Sequence, residues 1–297
     1  MDQKIHQLAD ERNTFMRVDS RQGAPGGDGT ARPGYTLKMQ LYGSDIALAR
    51  QIEAAEAANG FAMTAATPGA EAEAVLGGCA IFAGTGSPLT HTLGAGMDAA
   101  DAAAEFDRME QFYFDRGSDS LIDLCPMADV GVIEQITRRG YQVIEFNNVM
   151  ARPLLVYDTR YQAPATLEVH EIDGRETALW GHTVARGFTN LDSPPEEMTS
   201  MMSTICGFGH ALLATGGGAA MSIRENVALL YGDATVPEGR GRGVQSALIR
   251  SRLAKAAAMG VEFAAACVLP GSGSHRNYER AGFQLVYMRV NLKRVKP

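Results

Sequence analysis

Val227-Ala228-Leu229-Leu230-Tyr231-Gly232-Asp233-Ala234-Thr235-Val236, then Pro237-Glu238-Gly239-Arg240-Gly241-Arg242-Gly243, then a run from Val244 to Gly260, reads as strand, glycine-arginine loop and helix. Glycines at alternate positions 239, 241 and 243 let the backbone come close to a ligand. They also leave several N–H groups at a helix N-terminus, where the helix dipole favours an anion. Arg240 and Arg242 add positive charge at the same place, and the combination suits a pyrophosphate.

Other phosphate loops fit less well. A nucleoside triphosphatase loop needs G-x-x-x-x-G-K followed by Ser or Thr, and no such string occurs. Gly241-Arg242-Gly243-Val244-Gln245-Ser246 imitates the dinucleotide pattern G-x-G-x-x-G with Ser in the last place, and Glu262 lies 19 residues beyond Gly243. That acid, however, begins the next strand where a ribose-binding acid should end it, and the fingerprint normally opens its domain. A tight strand-to-helix turn with no ligand is the plain structural alternative, and two arginines between the glycines argue against it.

The chain of 297 residues is long enough for two ordinary domains, and its 45% hydrophobic content supports a substantial core. No apolar run reaches the roughly 18 residues of a membrane span. Met1 to Asp19 is polar and charged, so a cytoplasmic protein is expected, without membrane association. Residues 1–150 carry 11 Lys and Arg against 21 Asp and Glu, a net of −10, and residues 151–297 carry 16 against 13, a net of +3, which sum to the total of −7. An acidic chain with no basic cluster is a poor nucleic-acid binder. Cys79, Cys125, Cys206 and Cys267 are scattered singly and read as buried free thiols. The six histidines show no H-x-x-x-H or H-E-x-x-H spacing, so no metal is indicated.

Taken in order, residues 3–18 read as a short helix and Gln22 to Gly34 as a mobile loop. Ser44-Asp45 caps a helix through Asn59-Gly60, on which Glu56 reads as a solvated charge. Strands at Gly77–Ala83 and Thr90–Met97 flank a turn. A helix Asp101–Arg116 follows, with Ala102, Phe106, Met109 and Tyr113 as one buried stripe. Strand Ser120–Cys125, helix Asp129–Arg139 and strand Tyr141–Met150 complete this half. The second half reads as strand Leu167–Ile172, helices Gly174–Gly187 and Pro195–Cys206, and strands His210–Ala214, Ala219–Arg224 and Val227–Val236. Helix 244–260, strand Phe263–Leu269, helix Ser272–Arg280 and strand Phe283–Arg294 end it. Both halves end strand-helix-strand-helix-strand, with Arg139-Gly140-Tyr141 standing where Ala281-Gly282-Phe283 stands, the order of a tandem repeat.

Two motifs in this chain resemble those of the GCN5-related N-acetyltransferase (GNAT) family. The family's acyl-CoA loop, Gln/Arg-x-x-Gly-x-Gly/Ala, is matched by Arg240-Gly241-Arg242-Gly243-Val244-Gln245 at the Arg and central Gly, with Gln245 departing at the last place. Downstream, Tyr278-Glu279-Arg280-Ala281-Gly282-Phe283 looks like the family's Y-x-x-x-G-F ending. The resemblance implies an α/β fold with a mixed sheet, in two tandem GNAT-like domains. These are a degenerate copy at 1–155, which has the acidic Met97-Asp98-Ala99-Ala100-Asp101 in place of the glycine-arginine loop and Ile136 in place of Tyr278, and a catalytic copy at 156–297.

It implies acetyl-CoA as cosubstrate, held by Thr235, Val236, Arg240, Gly241, Arg242, Gly243, Val244 and Gln245. The family's Asn seven before the tyrosine is Gly271 here, and Ser274 and Arg276 stand available in its place. It also implies direct attack of an amine on the thioester, with Tyr278 as general acid, since a phenol is protonated at neutral pH. Asp233 is the first choice of base and Glu225 the second. Acceptor specificity in the family comes from the connection Phe188–Glu197, whose acids suit an amine and serve equally to cap a Pro-Pro helix start. The expected function is N-acyl transfer to a small or amino-acid-like amine. The alternative is a CoA-binding sensor without turnover. A homodimer is compatible with the sequence and not required by it.

Overall fold

A computed structural model describes residues 45–99 and 101–297; the helix expected at 3–18, the loop Gln22–Gly34 and Ser44 lie outside the described residues. The elements run α1 (Ile46–Ala66), β1 (Glu71–Val75), β2 (Gly78–Phe82), β3 (Thr92–Leu93), α2 (Ala102–Asp115), β4 (Ser120–Leu124), α3 (Val130–Arg139) and β5 (Gln142–Pro153). They continue with β6 (His170–Glu171), α4 (Thr177–Thr189), α5 (Glu196–Ile205), β7 (His210–Ala214), β8 (Gly217–Arg224), β9 (Val227–Thr235), α6 (Val244–Ala258), β10 (Phe263–Val268), α7 (Gly273–Arg280) and β11 (Gln284–Arg294). The mixed α/β class expected from the sequence is the class observed.

All eleven strands of the described residues join one sheet in the order β1-β2-β3-β4-β11-β5-β10-β9-β8-β7-β6. The two long strands that close the halves are exchanged: β11 lies between β4 and β5, and β5 lies between β11 and β10, each antiparallel to its neighbours. The order from β4 to β10 therefore reads alike from either end, as a repeated unit predicts, but neither half owns a complete sheet. We keep the division into residues 1–155 and 156–297 as a proposal about the repeat. A chain ending at 155 would leave β4 and β5 without β11 between them, so each half expressed alone is expected to lack a cooperative unfolding transition, which circular dichroism on heating would reveal.

Helix α1 shows how the halves are joined. Asp45 caps it, its Oδ1 accepting from the N–H groups of Ala47 (2.9 Å) and Leu48 (3.2 Å), as such caps do. The helix runs beyond Gly60, where a Cβ would lie 2.9 Å from Ile81 Cδ1, so the glycine lets the helix sit close on β2. Its buried face carries Leu48, Ala49, Ile52 and Ala55 into a core shared with Val227 and Leu229 of β9 and Val286 and Tyr287 of β11. Ser222 on β8 donates to Asn59 at 2.6 Å across the same contact. Helix α2 buries Phe106, Met109 and Tyr113 completely, the stripe its spacing predicts.

Four expectations shift, the first being the strand expected over Thr90–Met97, which shrinks to Thr92–Leu93. A strand at Glu71–Val75 precedes the expected first one and forms a hairpin with it through Leu76 and Gly77, both at positive φ (53° and 73°). The strand expected over Leu167–Ile172 shrinks to His170–Glu171, because Ala165–Leu167 forms a 3₁₀ turn. Cys79, Cys125 and Cys206 are buried free thiols, but Cys267 is exposed, and the buried reading is corrected there.

Candidate active site

The site begins where a ladder stops. β9 and β10 pair in parallel only from Val227↔Phe263 to Leu230↔Ala266, and beyond that β9 runs on to Thr235 and β10 to Val268 without pairing to each other. The facing N–H and C=O groups in this opening are free of each other, and an extended ligand chain can pair with them. The divergence coincides with a bulge on β9. Against β8, Ala220 pairs with Tyr231 and Gly218 with Ala234, so Gly232-Asp233 carries one residue more than its partner. Trp180 of α4, fully buried with its indole N–H donating to Leu212 O at 3.0 Å, supports the bulge. A Cβ on Gly218 would come within 3.1 Å of its ring nitrogen, and one on Gly232, at φ +66°, within 3.3 Å of the ring.

Past the opening, β9 leads through the loop to the N-terminus of α6. Gly243 is the N-cap at φ +80°, with no side chain capping the helix. The first N–H groups of α6 are thus left to a ligand or water. Gly241 (φ +73°) and Gly243 have nothing within 4 Å of where a Cβ would stand, so both keep the approach bare. Gly239 serves a different purpose, since its Cβ would meet Gly216 O at 2.6 Å. In the first half, by contrast, Asp101 caps α2 by accepting from Ala104 N at 3.2 Å, so that helix start already carries a carboxylate where α6 has none.

A cavity of about 490 Å³ is lined here by Thr235, Arg240, Gly241, Gly243, Val244 and Gln245, with Ser274 and Asn277 from α7. Gln245, the departure from the expected motif, bridges the two helices: its Nε2 donates to Ser274 Oγ (2.8 Å) and its Oε1 accepts from Asn277 Nδ2 (2.7 Å). Arg240 is exposed, and its guanidinium reaches back to Gly187 O (3.3 Å), Thr235 O and the Asn190 side chain. Arg242 is exposed at the tip of the loop. Val236 is buried, its N–H donating to Gly216 O at 3.0 Å, and Arg276 donates to Gly271 O at 2.8 Å; neither lines the cavity.

Asp233 and Ser274 also line a second cavity of about 670 Å³, whose wall includes Tyr278. The Tyr278 hydroxyl donates to Asp233 Oδ2 at 2.8 Å, and its ring meets Phe283 edge-on with centroids 4.9 Å apart. Arg252 of α6, wholly buried, pairs with both Asp233 oxygens (Nη1–Oδ2 3.0 Å) and donates to Ala220 O at 2.8 Å. Burial, then the Asp233 carboxylate, push the Tyr278 hydroxyl well above the ordinary tyrosine range against the opposing charge of Arg252. Glu225, the second expected base, sits on the turn between β8 and β9 and lines neither cavity.

The rest of the larger cavity belongs to residues that the sequence reading left aside. Glu56 is a correction: far from being a solvated helix charge, its side chain is 18% exposed, faces Arg289 Nη1 at 3.6 Å and lines the cavity. Burial raises its pKa. Arg289 pairs with Glu53 at 2.8 Å, both nearly inaccessible, and Tyr287 donates to the same Glu53 oxygen. His91 Nδ1 stands 3.2 Å from Asp123 Oδ2, while Asn291 donates to Asp123 Oδ1 at 2.7 Å and accepts from Asn147 at 2.9 Å. Cys267 opens onto this cavity too. The acids of the connection between α4 and α5 lie elsewhere: Asp192 pairs with Arg186 at 2.8 Å, and Glu196 and Glu197 occupy the first turn of α5. From that connection Phe188 lines the cavity.

Neither a protein-family model nor a curated protein matches this sequence. Solved structures do. A GCN5-related N-acetyltransferase from Kribbella flavida aligns over 85% of this chain and 96% of its own, at 16% identity and a TM-score of 0.59. A second, from Sphaerobacter thermophilus, covers 61% of each chain at 17% identity and TM-score 0.45. A tandem GNAT protein from the clavulanic acid biosynthesis pathway covers 65% of this chain and 69% of its own, at 13% identity and TM-score 0.47. With its splayed strands, its bulge and the bare helix start that follows them, the chain has the fold of the GCN5-related N-acetyltransferases.

Proposed function

We propose that this chain is an acetyl-CoA-dependent N-acyltransferase whose acceptor is a small amine. The observation that carries the reading is the juxtaposition of three features: the unpaired edge of β9, the uncapped N-terminus of α6 with its two open glycines, and the hydroxyl of Tyr278 bonded to Asp233, which lines both cavities. The 490 Å³ cavity fits a pyrophosphate, with N–H donors from Gly241 to Gln245. The free edge of β9 then takes the pantetheine amides and brings the thioester toward Tyr278.

In this reading Tyr278 donates to the departing thiolate, leaving Asp233 behind in its pair with Arg252. Its raised pKa keeps the phenol protonated at every physiological pH. Asp233, with both oxygens engaged, positions Tyr278 and neutralises Arg252, in place of the base role expected from sequence.

Release of free CoA thiol from acetyl-CoA with phenethylamine, putrescine and L-lysine tests the proposal. Acceleration by an amine supports it. Binding of acetyl-CoA with no amine-dependent release favours the sensor reading, for which the occupation of the small-residue position by Gln245 speaks. Arg240→Glu places a negative charge beside the proposed pyrophosphate and cuts the guanidinium from Gly187 O. We expect acetyl-CoA affinity to fall about tenfold, read by calorimetry on the folded variant.

A further inference from the structure

If Asp233 is fully engaged, the proton of an acceptor ammonium must go elsewhere, and the larger cavity offers one group built to take it. The His91 side chain is 24% exposed and lines that cavity, while its backbone is pinned by Ile81 N donating to His91 O at 3.1 Å. Asp123 faces Nδ1 and is itself fixed on its other oxygen by Asn291, in a chain that continues to Asn147. A carboxylate at Nδ1 keeps the proton of neutral imidazole on that nitrogen and leaves Nε2 as the base. Of the other cavity acids of this half, Glu56 faces Arg289 and balances its charge together with Glu53, and Glu145 accepts from Asn147 at 2.9 Å.

We propose that His91, held by Asp123, is the general base that deprotonates the acceptor ammonium, so that the half without a pyrophosphate loop supplies the base to the half that has one. The inference rests on the acyltransferase reading. The ammonium gives one proton to His91 Nε2, and the freed nitrogen lone pair forms the bond to the acyl carbon. The C–S bond breaks, and its electron pair leaves on sulfur as the thiolate, which takes a proton from Tyr278. The second proton lost by nitrogen restores the Tyr278 phenol, and His91 releases its own to solvent, one proton net per turnover.

The charged groups around His91 are Asp123 on β4, Arg289 on β11 and Glu56 on α1. Burial and Arg289 oppose its charging, but Asp123, aided by Glu56, outweighs them and holds its pKa above the ordinary value. The active form is the neutral one, so activity rises with pH through an inflection above the usual histidine value of about 6.5.

The test uses the full chain, saturating acetyl-CoA and the fastest amine of the three, from pH 5.5 to 9. His91→Gln is expected to lower kcat/KM for the amine on the order of 10²-fold at pH 7 and to abolish the inflection, with acetyl-CoA affinity unchanged as proof of folding. His91→Ala is expected to recover activity with added imidazole. Asp123→Asn, which removes the charge that raises the histidine pKa, is expected to move the inflection down. Turnover by His91→Gln within threefold of the parent, with the same pH profile, would overturn the base assignment alone. Absence of turnover by the unmodified chain with all three amines would overturn the acyltransferase reading itself.

Discussion

Tyr278→Phe is expected to lower kcat on the order of 10²-fold while leaving acetyl-CoA affinity within about twofold. The substitution removes one oxygen and keeps the ring, which is buried and packed edge-on against Phe283. The hydroxyl contributes to the cofactor cavity only through its bond to Asp233, and Asp233 keeps its two bonds to Arg252 without it. A loss confined to kcat therefore reports the proton given to sulfur. The unmodified enzyme is also expected to show no falling limb from this phenol below about pH 10, because burial and Asp233 raise its pKa. Stopped assays with both proteins at saturating amine check both points, and full kcat in the variant would mean that another donor protonates the thiolate.

Glu53→Ala is expected to destabilise the chain by about 3–5 kcal/mol, because it leaves the guanidinium of Arg289 buried without its main partner. Arg289 is 2% exposed and Glu53 1%, and the nearest remaining carboxylate, Glu56, is 3.6 Å away. Tyr287 loses its acceptor at the same time. The pair joins α1 of the first half to β11 of the second, so the loss is expected as a lower urea midpoint for the entire cooperative transition. Removing both charges with Glu53→Leu and Arg289→Met is expected to recover much of it, since a well-packed apolar pair of similar volume often replaces a buried ion pair without net cost.

What was legible in the sequence was what is local. The loop from Gly239 to Gly243, helix α6 and the place of Tyr278 on α7 follow from adjacent residues, and all stand where the pattern puts them. Helix α2 was legible for the same reason, its buried stripe being a matter of one helical period. β1 was not: Glu-Ala-Glu-Ala-Val has little intrinsic strand preference, and what makes it a strand is its hairpin with β2 through the Leu76-Gly77 turn. The exchange of β5 and β11 was not legible either, since no short-range signal says which strand will pair with a long central one. Glu53 and Tyr287 are 234 residues apart and meet only because of that exchange. The cluster of Glu56, His91, Asp123 and Arg289 was hidden by the same non-locality, since no two of its residues are near in the sequence. Arg240 shows a further limit, as its sequence place predicts charge at an anion site but not that the guanidinium turns back to the C-terminal end of α4. Among the described residues no helix is long and apolar enough to cross a membrane.

The proposed function requires a single acyl-CoA site in the chain, at the opening between β9 and β10. The first half has Asp101 capping the helix start that would have to receive a second pyrophosphate, whereas α6 leaves its own start bare. Calorimetric titration of the full chain with acetyl-CoA tests this directly. The expected result is saturable binding of one acetyl-CoA per chain, weakened in Arg240→Glu. A stoichiometry of two, or no binding at millimolar acetyl-CoA, would contradict it.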